Sequence, residues 1–374
     1  MILLIAAFAV ILYFVEKYSL KHVLDKVTFE TAADKGVVEP EEAFSWSITI
    51  RNGKRMMVPY LRLRENIPEG LLFADGSGPV GSTRFSWLTS TLYLGRRQKV
   101  CLSRDVMLPK RGRYFFHGAF VEAGDFLGIR SVTENYPELK DVVVKPRRSD
   151  SPELAVLLGG YLGEHSVRKS LMEDPINTIS FLDYTGREPM RSISWIQSAR
   201  HNRLLVKQYD HTAEFSCTVL LNVDCPSSRN RSERLEQCFS IVRSVCEELE
   251  KRKISCDFRT NGSIAGAIGS WDHVGDGLGA AHLETILEGL GRMTYSYRES
   301  AGTFLEQEIR GMQRGKSIIL VTPVAPEEDP VVRTAAARLE KMSQRKVLVL
   351  YAVNAAGGFE AKSETAGDSQ AWAD

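Results

Sequence analysis

The hydrophobic periodicity of this chain changes once, near Ser149, and that change constrains the fold more than any other feature. Before it, apolar and polar residues alternate singly. Phe44-Ser-Trp-Ser-Ile-Thr-Ile-Arg51 runs into Asn52-Gly53, the pattern of a half-buried strand that ends in a turn. Similar strands are expected at 60–64, 85–94, 99–108, 114–122 and 142–145. About seven or eight short strands without intervening helices predict a β-sandwich. After Ser149, Ser-Asp-Ser-Pro opens a less regular segment, and apolar strands begin to alternate with amphipathic helices. The run 215–223 is almost continuously apolar. The helix expected after it carries Leu235, Cys238, Phe239, Val242, Cys246 and Leu249 at spacings of three and four, with Asn230 and Glu233 placed to cap its start. Strands at 254–259, 317–322 and 346–353, with helices at 281–292, 303–313 and 330–344, complete the pattern of a doubly wound α/β sheet.

At 374 residues the chain is long enough for two folded units and accessory segments. Forty-eight basic residues against forty-seven acidic ones leave a formal charge of +1, so no global field recruits nucleic acid, and none is expected as a partner. The six cysteines show no CxxC spacing, which suits buried thiols in a reducing compartment better than a disulfide or zinc framework. Residues 1–15 (MILLIAAFAVILYFV) carry no charge. At ~1.5 Å per residue they span ~22 Å, against a hydrocarbon core of ~30 Å that flanking Glu16, Lys17 and Tyr18 would help to bridge by snorkelling. A signal peptide needs a basic segment before the run and a small-residue cleavage site after it, and neither is present. An uncleaved membrane anchor over 1–18 is therefore expected, ahead of a buried helix or a signal peptide. Lys17, Lys21 and Lys26 place the bulk of such a single-pass chain in the cytoplasm, at the cell membrane. The expected divisions are the anchor at 1–18, a β-sandwich at 27–147, an α/β part at 148–354 and a disordered tail at 355–374.

The search for chemistry returns mostly negatives. There is no HExxH and no GxSxG, and the seven histidines do not cluster. Gly311-Met-Gln-Arg-Gly-Lys-Ser317 is one residue short of a phosphate loop and leads from a helix into a strand, the reverse of the order a phosphate loop needs. The glycine-rich run 269–279 carries Asp272, His273 and Asp276 without the spacing of a calcium loop, and reads as a flexible connection. Asp224 falls at the carboxyl end of the first strand of the α/β part, the edge where open α/β sheets bind ligands. Asp224-Cys-Pro-Ser-Ser228 resembles the metal-ion-dependent adhesion motif DxSxS of von Willebrand factor A domains, with proline in place of the middle serine. Asp224 and Ser228 are thus a degenerate candidate site for Mg²⁺, with a structural remnant as the competing reading. The densest polar and aromatic cluster is 183–200, with Tyr184, Arg187, Glu188, Arg191, Trp195 and Arg200. Arginine forks bind carboxylates bidentately and stack on indole, so the cluster could meet a partner or an anion. The structural alternative makes Trp195 core and pairs the arginines internally.

That segment, YTGREPMRSISWIQSARHNRLLVKQYD, resembles the signature of the bacterial domain of unknown function 58 family. Arg187-Glu188 stands where many members have Gly-Asp. Upstream, Arg111-Gly-Arg-Tyr114 and Asp125-Phe-Leu-Gly-Ile129 resemble two further family elements, with Phe126 in the place of a usual proline. The resemblance covers about 27–353. It implies an α+β multidomain chain with an N-terminal membrane helix, an immunoglobulin-like β-sandwich and a von Willebrand factor A-like doubly wound α/β domain. It also implies association with MoxR-type AAA+ ATPases and with membrane proteins bearing transglutaminase-like domains. The expected function is that of a non-enzymatic, membrane-tethered adaptor. The alternatives are a metal-dependent binder or enzyme at Asp224, and an outward-facing module that handles cell-wall components.

Overall fold

A computed structural model describes residues 2–74, 86–125, 130–149, 151–170, 178–186, 190, 193–209, 216–226, 230–265, 272–312, 316–352 and 360–362. The chain divides into two units. The first comprises Met1–Arg147 with Ile264–Gly266 and Leu287–Thr294; the second holds the remainder.

The first unit begins with α1 (Ile2–Lys21) and continues with strands only: β1 (Val27–Ala33), β2 (Val37–Val38), β3 (Ala43–Asn52), β4 (Val58–Ile67), β5 (Leu72–Phe73), β6 (Ser86–Leu94), β7 (Lys99–Met107), β8 (Gly112–Gly124) and β9 (Ser131–Val144). They form two sheets, ordered β1-β3-β7-β5 and β2-β9-β8-β4-β6, antiparallel throughout except for the β2–β9 pair. Alternation places Phe44, Trp46, Ile48 and Ile50 of β3 and Leu61, Leu63 and Ile67 of β4 inside. The Trp46 ring stacks on Phe116 across the core with centroids 4.1 Å apart. Glu65, on the inward face of β4, is also buried.

The expected membrane anchor is corrected here, and with it the transmembrane helix and the single-pass location at the cell membrane. Among the described residues no helix is long and apolar enough to cross a membrane. The reason lies at the C-terminal end of α1, which belongs to the folded unit. Ser19 is buried, Glu16 lies 4.0 Å from Arg130, and Val23 and Leu24 join the sandwich core. Lys54 Nζ donates to the carbonyl oxygens of His22, at 2.6 Å, and Val23, capping the chain as it leaves the helix. Docking the last turn leaves only the uncharged run before Glu16, ~22 Å of helix.

The second unit opens with α2 (Pro152–Ser170), then β10 (Thr178–Asp183), α3 (Trp195–His201) and β11 (Leu205–Tyr209). The chain continues through β12 (Ser216–Leu221), α4 (Arg231–Lys251), β13 (Ser255–Thr260), β14 (Gly262–Ile264), β15 (His273–Gly277), α5 (Ala280–Arg292) and β16 (Met293–Tyr297), of which Ile264, α5 from Leu287 onward and the first two residues of β16 belong to the first unit. The last elements are α6 (Ala301–Gly311), β17 (Ser317–Thr322), α7 (Pro330–Ser343), β18 (Val347–Tyr351) and β19 (Glu360–Lys362). The α4 positions singled out by spacing are all buried. Asn230 stands at the helix N-cap with a left-handed backbone, φ 60°, but its side chain makes no cap bond, contrary to expectation. On the other side of the sheet, Phe304, Leu305 and Ile309 of α6 and Val332, Ala335 and Leu339 of α7 pack on Leu220, Ile318, Leu320 and Val349. Tyr161 of α2 donates its hydroxyl to the carbonyls of Ile318 and Lys346, both at 2.9 Å, tying the helix to the entry ends of β17 and β18.

The expected von Willebrand factor A-like doubly wound sheet is also corrected. The sheet runs β15-β13-β12-β17-β18-β19, with four parallel strands closed by an antiparallel strand at each edge. One edge, β15, comes from the glycine-rich run read as a flexible connection: His273 and Val274 pair with Arg259 and Phe258. The other, β19, lies within the expected tail and pairs with β18. Backbone pairing, rather than a periodic side-chain pattern, recruits both strands, so the architecture is a mixed sheet in a mixed α/β chain.

Candidate functional site

Two places collect the residues expected to carry function. The first is the carboxyl edge of β12, β13 and β17. Asn222 and Asn261 directly follow β12 and β13, Thr322 ends β17, and all three are fully buried. Asn222 Nδ2 donates to Thr322 Oγ1 at 3.3 Å, and its Oδ1 accepts from Asn261 Nδ2 at 3.0 Å and from the Asp224 backbone N–H at 2.9 Å. Asn261 Oδ1 accepts from the Val223 N–H at 2.8 Å, and its Nδ2 also reaches the Glu299 carbonyl at 3.1 Å. The amides therefore satisfy the backbone where three strands stop, a closed network with its donors and acceptors matched. Neither asparagine was singled out from sequence. The signal was present, as a polar residue directly after an apolar strand.

This network aims Asp224. Its Oδ2 accepts the Ala301 N–H at 3.1 Å, the first residue of α6, where free amide groups and the helix dipole favour a negative charge. That carboxylate thus acts as a tether between the sheet edge and α6. Ser228, the other member of the degenerate metal motif, lies outside the described residues, and among those described no group of three or more His, Cys, Asp or Glu side chains could hold a metal ion.

The second place is the signature segment. Arg187, Glu188 and Arg191 lie outside the described residues; Tyr184, Trp195 and Arg200 are placed. β10 and β11 form a two-stranded antiparallel ribbon, with Leu182 opposite Val206. The short helix α3 is stitched to β11: Leu205 N–H donates to Ser198 Oγ, and Ser194 N–H donates to the Leu205 carbonyl, both at 2.9 Å. Asn202, with φ 54°, terminates the helix in the left-handed conformation. Tyr184 N–H donates to the Leu204 carbonyl at 2.9 Å, and Arg203 pairs with Asp183 at 3.1 Å. Ser198 is the buried position of α3, while the first turn of the helix is open to solvent. Trp195 is 61% exposed and Ile196 72% exposed, and Arg200, one turn after Ile196, is exposed as well. Trp195 is therefore not the core residue that the structural reading required. Phe181, Leu182, Met190 and Leu204, from the same ribbon and its connections, are exposed too.

Further upstream, Arg111, Arg113 and Asp125 make their hydrogen bonds within the first unit. Arg111 is buried and donates from one guanidinium nitrogen to the carbonyls of Leu290 and Met293, both at 2.7 Å. Arg113 reaches Asp141 Oδ2 and the Ala265 carbonyl, each at 2.7 Å. Asp125 Oδ2 accepts the Arg130 N–H at 3.1 Å; residues 126–129 lie outside the described set.

No family model matches this chain, and no curated protein matches it. Among solved structures, the CARDB domain of the PF1109 protein from Pyrococcus furiosus, in complex with di-metal ions, is 17% identical and matches 32% of this chain and 92% of its own, with a TM-score of 0.22. A cohesin module from a Clostridium perfringens family 33 glycoside hydrolase is 13% identical over 32% of this chain and 96% of its own, with a TM-score of 0.24. BcpA, the major pilin subunit of Bacillus cereus, is 9% identical over 33% of this chain and 41% of its own, at a TM-score of 0.24. Likenesses this weak say nothing about what the chain does.

Proposed function

We propose that this chain is a non-enzymatic adaptor of the domain of unknown function 58 type, which binds a protein partner, a MoxR-type AAA+ ATPase, through the surface of α3. One observation carries the reading. A tryptophan and an isoleucine stand exposed on the first turn of a helix that hydrogen bonds fix to β11, so the surface is both apolar and anchored. Exposed tryptophan and arginine are the residue types enriched at interface hot spots, where each residue commonly contributes about 2 kcal/mol or more. Pre-organisation by the β10–β11 ribbon lowers the ordering cost of binding. The alternative of a metal-dependent binder or enzyme at Asp224 has less support, because one carboxylate oxygen is already held by α6.

The test is a calorimetric titration of the full chain with a MoxR-type ATPase encoded in the same genome. Trp195→Ala is expected to weaken binding by about thirtyfold and Arg200→Ala by about tenfold. Affinity unchanged in both variants would contradict the reading.

A further inference from the structure

The first unit carries a second surface, unconnected with α3. The outer face of the β6-β4-β8-β9 part of its sheet is hollowed into a groove of about 790 Å³, lined by Arg62, Arg64, Trp87, Thr89, Phe120 and Glu122, with Thr91 and Thr133 at its margins. That volume is in the range of small-ligand sites, about 300–1,000 Å³. Strand register fixes the arrangement. Arg64 lies opposite Thr89 on one side and Phe120 on the other, and Arg62 lies opposite Thr91 and Glu122. Glu122 in turn faces Thr133.

The two arginines differ in what holds them. Arg62 is spoken for: it pairs with Glu122 at 3.3 Å and lies over the Tyr60 ring, while Ser131 Oγ donates to the other Glu122 oxygen at 2.9 Å. Arg64 is exposed and makes no hydrogen bond or ion pair with the described residues. Glu122 thus cancels one guanidinium and leaves the groove with a single uncompensated fork, suited to one carboxylate. Beside it, the half-exposed rings of Trp87 and Phe120 sit 5.7 Å apart, tilted by 55°, and form an apolar platform bordered by threonine hydroxyls.

From this geometry we infer that the groove binds an acidic oligosaccharide. The rings accept the C–H faces of pyranose units, the threonines meet sugar hydroxyls, and Arg64 takes a uronate carboxylate. One free positive charge is too little for a nucleic-acid backbone. A peptide strand would seek a sheet edge for its main-chain bonds, whereas this is a sheet face.

The experiment is calorimetry on the full chain with tetragalacturonate, its fully methyl-esterified form and a hexaglutamate peptide. The acid is expected to give a saturable isotherm about tenfold tighter than the ester, the worth of one charge-assisted pair. Arg64→Gln, an exposed substitution that spares the core, brings the acid down to the ester. Trp87→Ala and Phe120→Ala each weaken acid and ester alike. The inference is overturned by the absence of a saturable isotherm for the acid, by indifference to Arg64→Gln, or by hexaglutamate binding as tightly with the same dependence on Arg64, which would make the groove an acidic-peptide site.

Discussion

Glu65 is the residue whose environment most clearly opposes its chemistry. It sits on the core face of β4, and burial pushes its carboxyl up to about 7 from the usual 4.5, with Arg104 and Trp46 lowering it only in part. Neither carboxylate oxygen has a well-formed hydrogen bond. The folded protein therefore holds a proton that the unfolded chain releases near pH 4.5. Stability from this group is fully present below about 4.5 and is lost as pH rises through about 7. The full shift corresponds to on the order of 3 kcal/mol. Urea titrations at pH 5 and pH 8 should show that loss in the wild type and a much smaller one in Glu65→Gln; parallel profiles would contradict it. Glu65 shows how far sequence reading reaches at this scale. The strand expected at 60–64 stops one residue short of it, and only the longer β4, with alternation carried on to Ile67, puts it on the same face as Leu61, Leu63 and Ile67. That no well-formed hydrogen bond reaches its carboxylate depends on β3 and β7 and was not legible.

Elements with a side-chain period were readable, and those made by pairing alone were not. The buried stripe of α4 and the alternation of β3 follow from residue spacing, because each face meets an apolar layer. β15 offers no such stripe; its sequence is HVGDG, and it exists because β13 has an open edge. α2 was hidden by Gly159-Gly160, which lower helix propensity, although Leu154, Leu158 and Leu162 bury one face. Two predictions belong here. In β8, the register slips beside Gly118, and a Cβ there would lie 1.7 Å from the Tyr136 carbonyl oxygen. Gly118→Ala must then push β9 away and is expected to cost about 2–3 kcal/mol, measured by denaturant unfolding. An unchanged midpoint would mean that the strands do not approach so closely. At the sheet edge, Asp224→Ala removes the α6 tether and is expected to cost about 1 kcal/mol, equally with and without millimolar Mg²⁺. A stabilisation by Mg²⁺ that disappears in the variant would instead identify Asp224 as a metal ligand.

For the whole molecule, the change of period near Ser149 falls beside the division between Arg147 and Arg148. Local sequence could not show that Ile264–Gly266 and Leu287–Thr294 return to the first unit. Those segments supply the carbonyls that Arg111 and Arg113 bind, so the chain order of the two units and their spatial membership differ. The signature segment was recognisable as a cluster but not as a surface. Whether Trp195 faced inward or outward was not legible in the spacing: it lies three residues before the buried Ser198, whose bond to β11 fixes that side of α3, and yet it is exposed. With that side fixed, the exposed Trp195, Ile196 and Arg200 become the place where a partner would gain most, and the account of the chain as an adaptor rests on them.

Hydrogen exchange of the full chain, with and without saturating MoxR-type ATPase, tests that account most directly, because it reports location as well as binding. The account predicts slowed exchange across α3 and the start of β11, abolished by Trp195→Ala. Protection confined to other elements, or protection of α3 that survives Trp195→Ala, would contradict it.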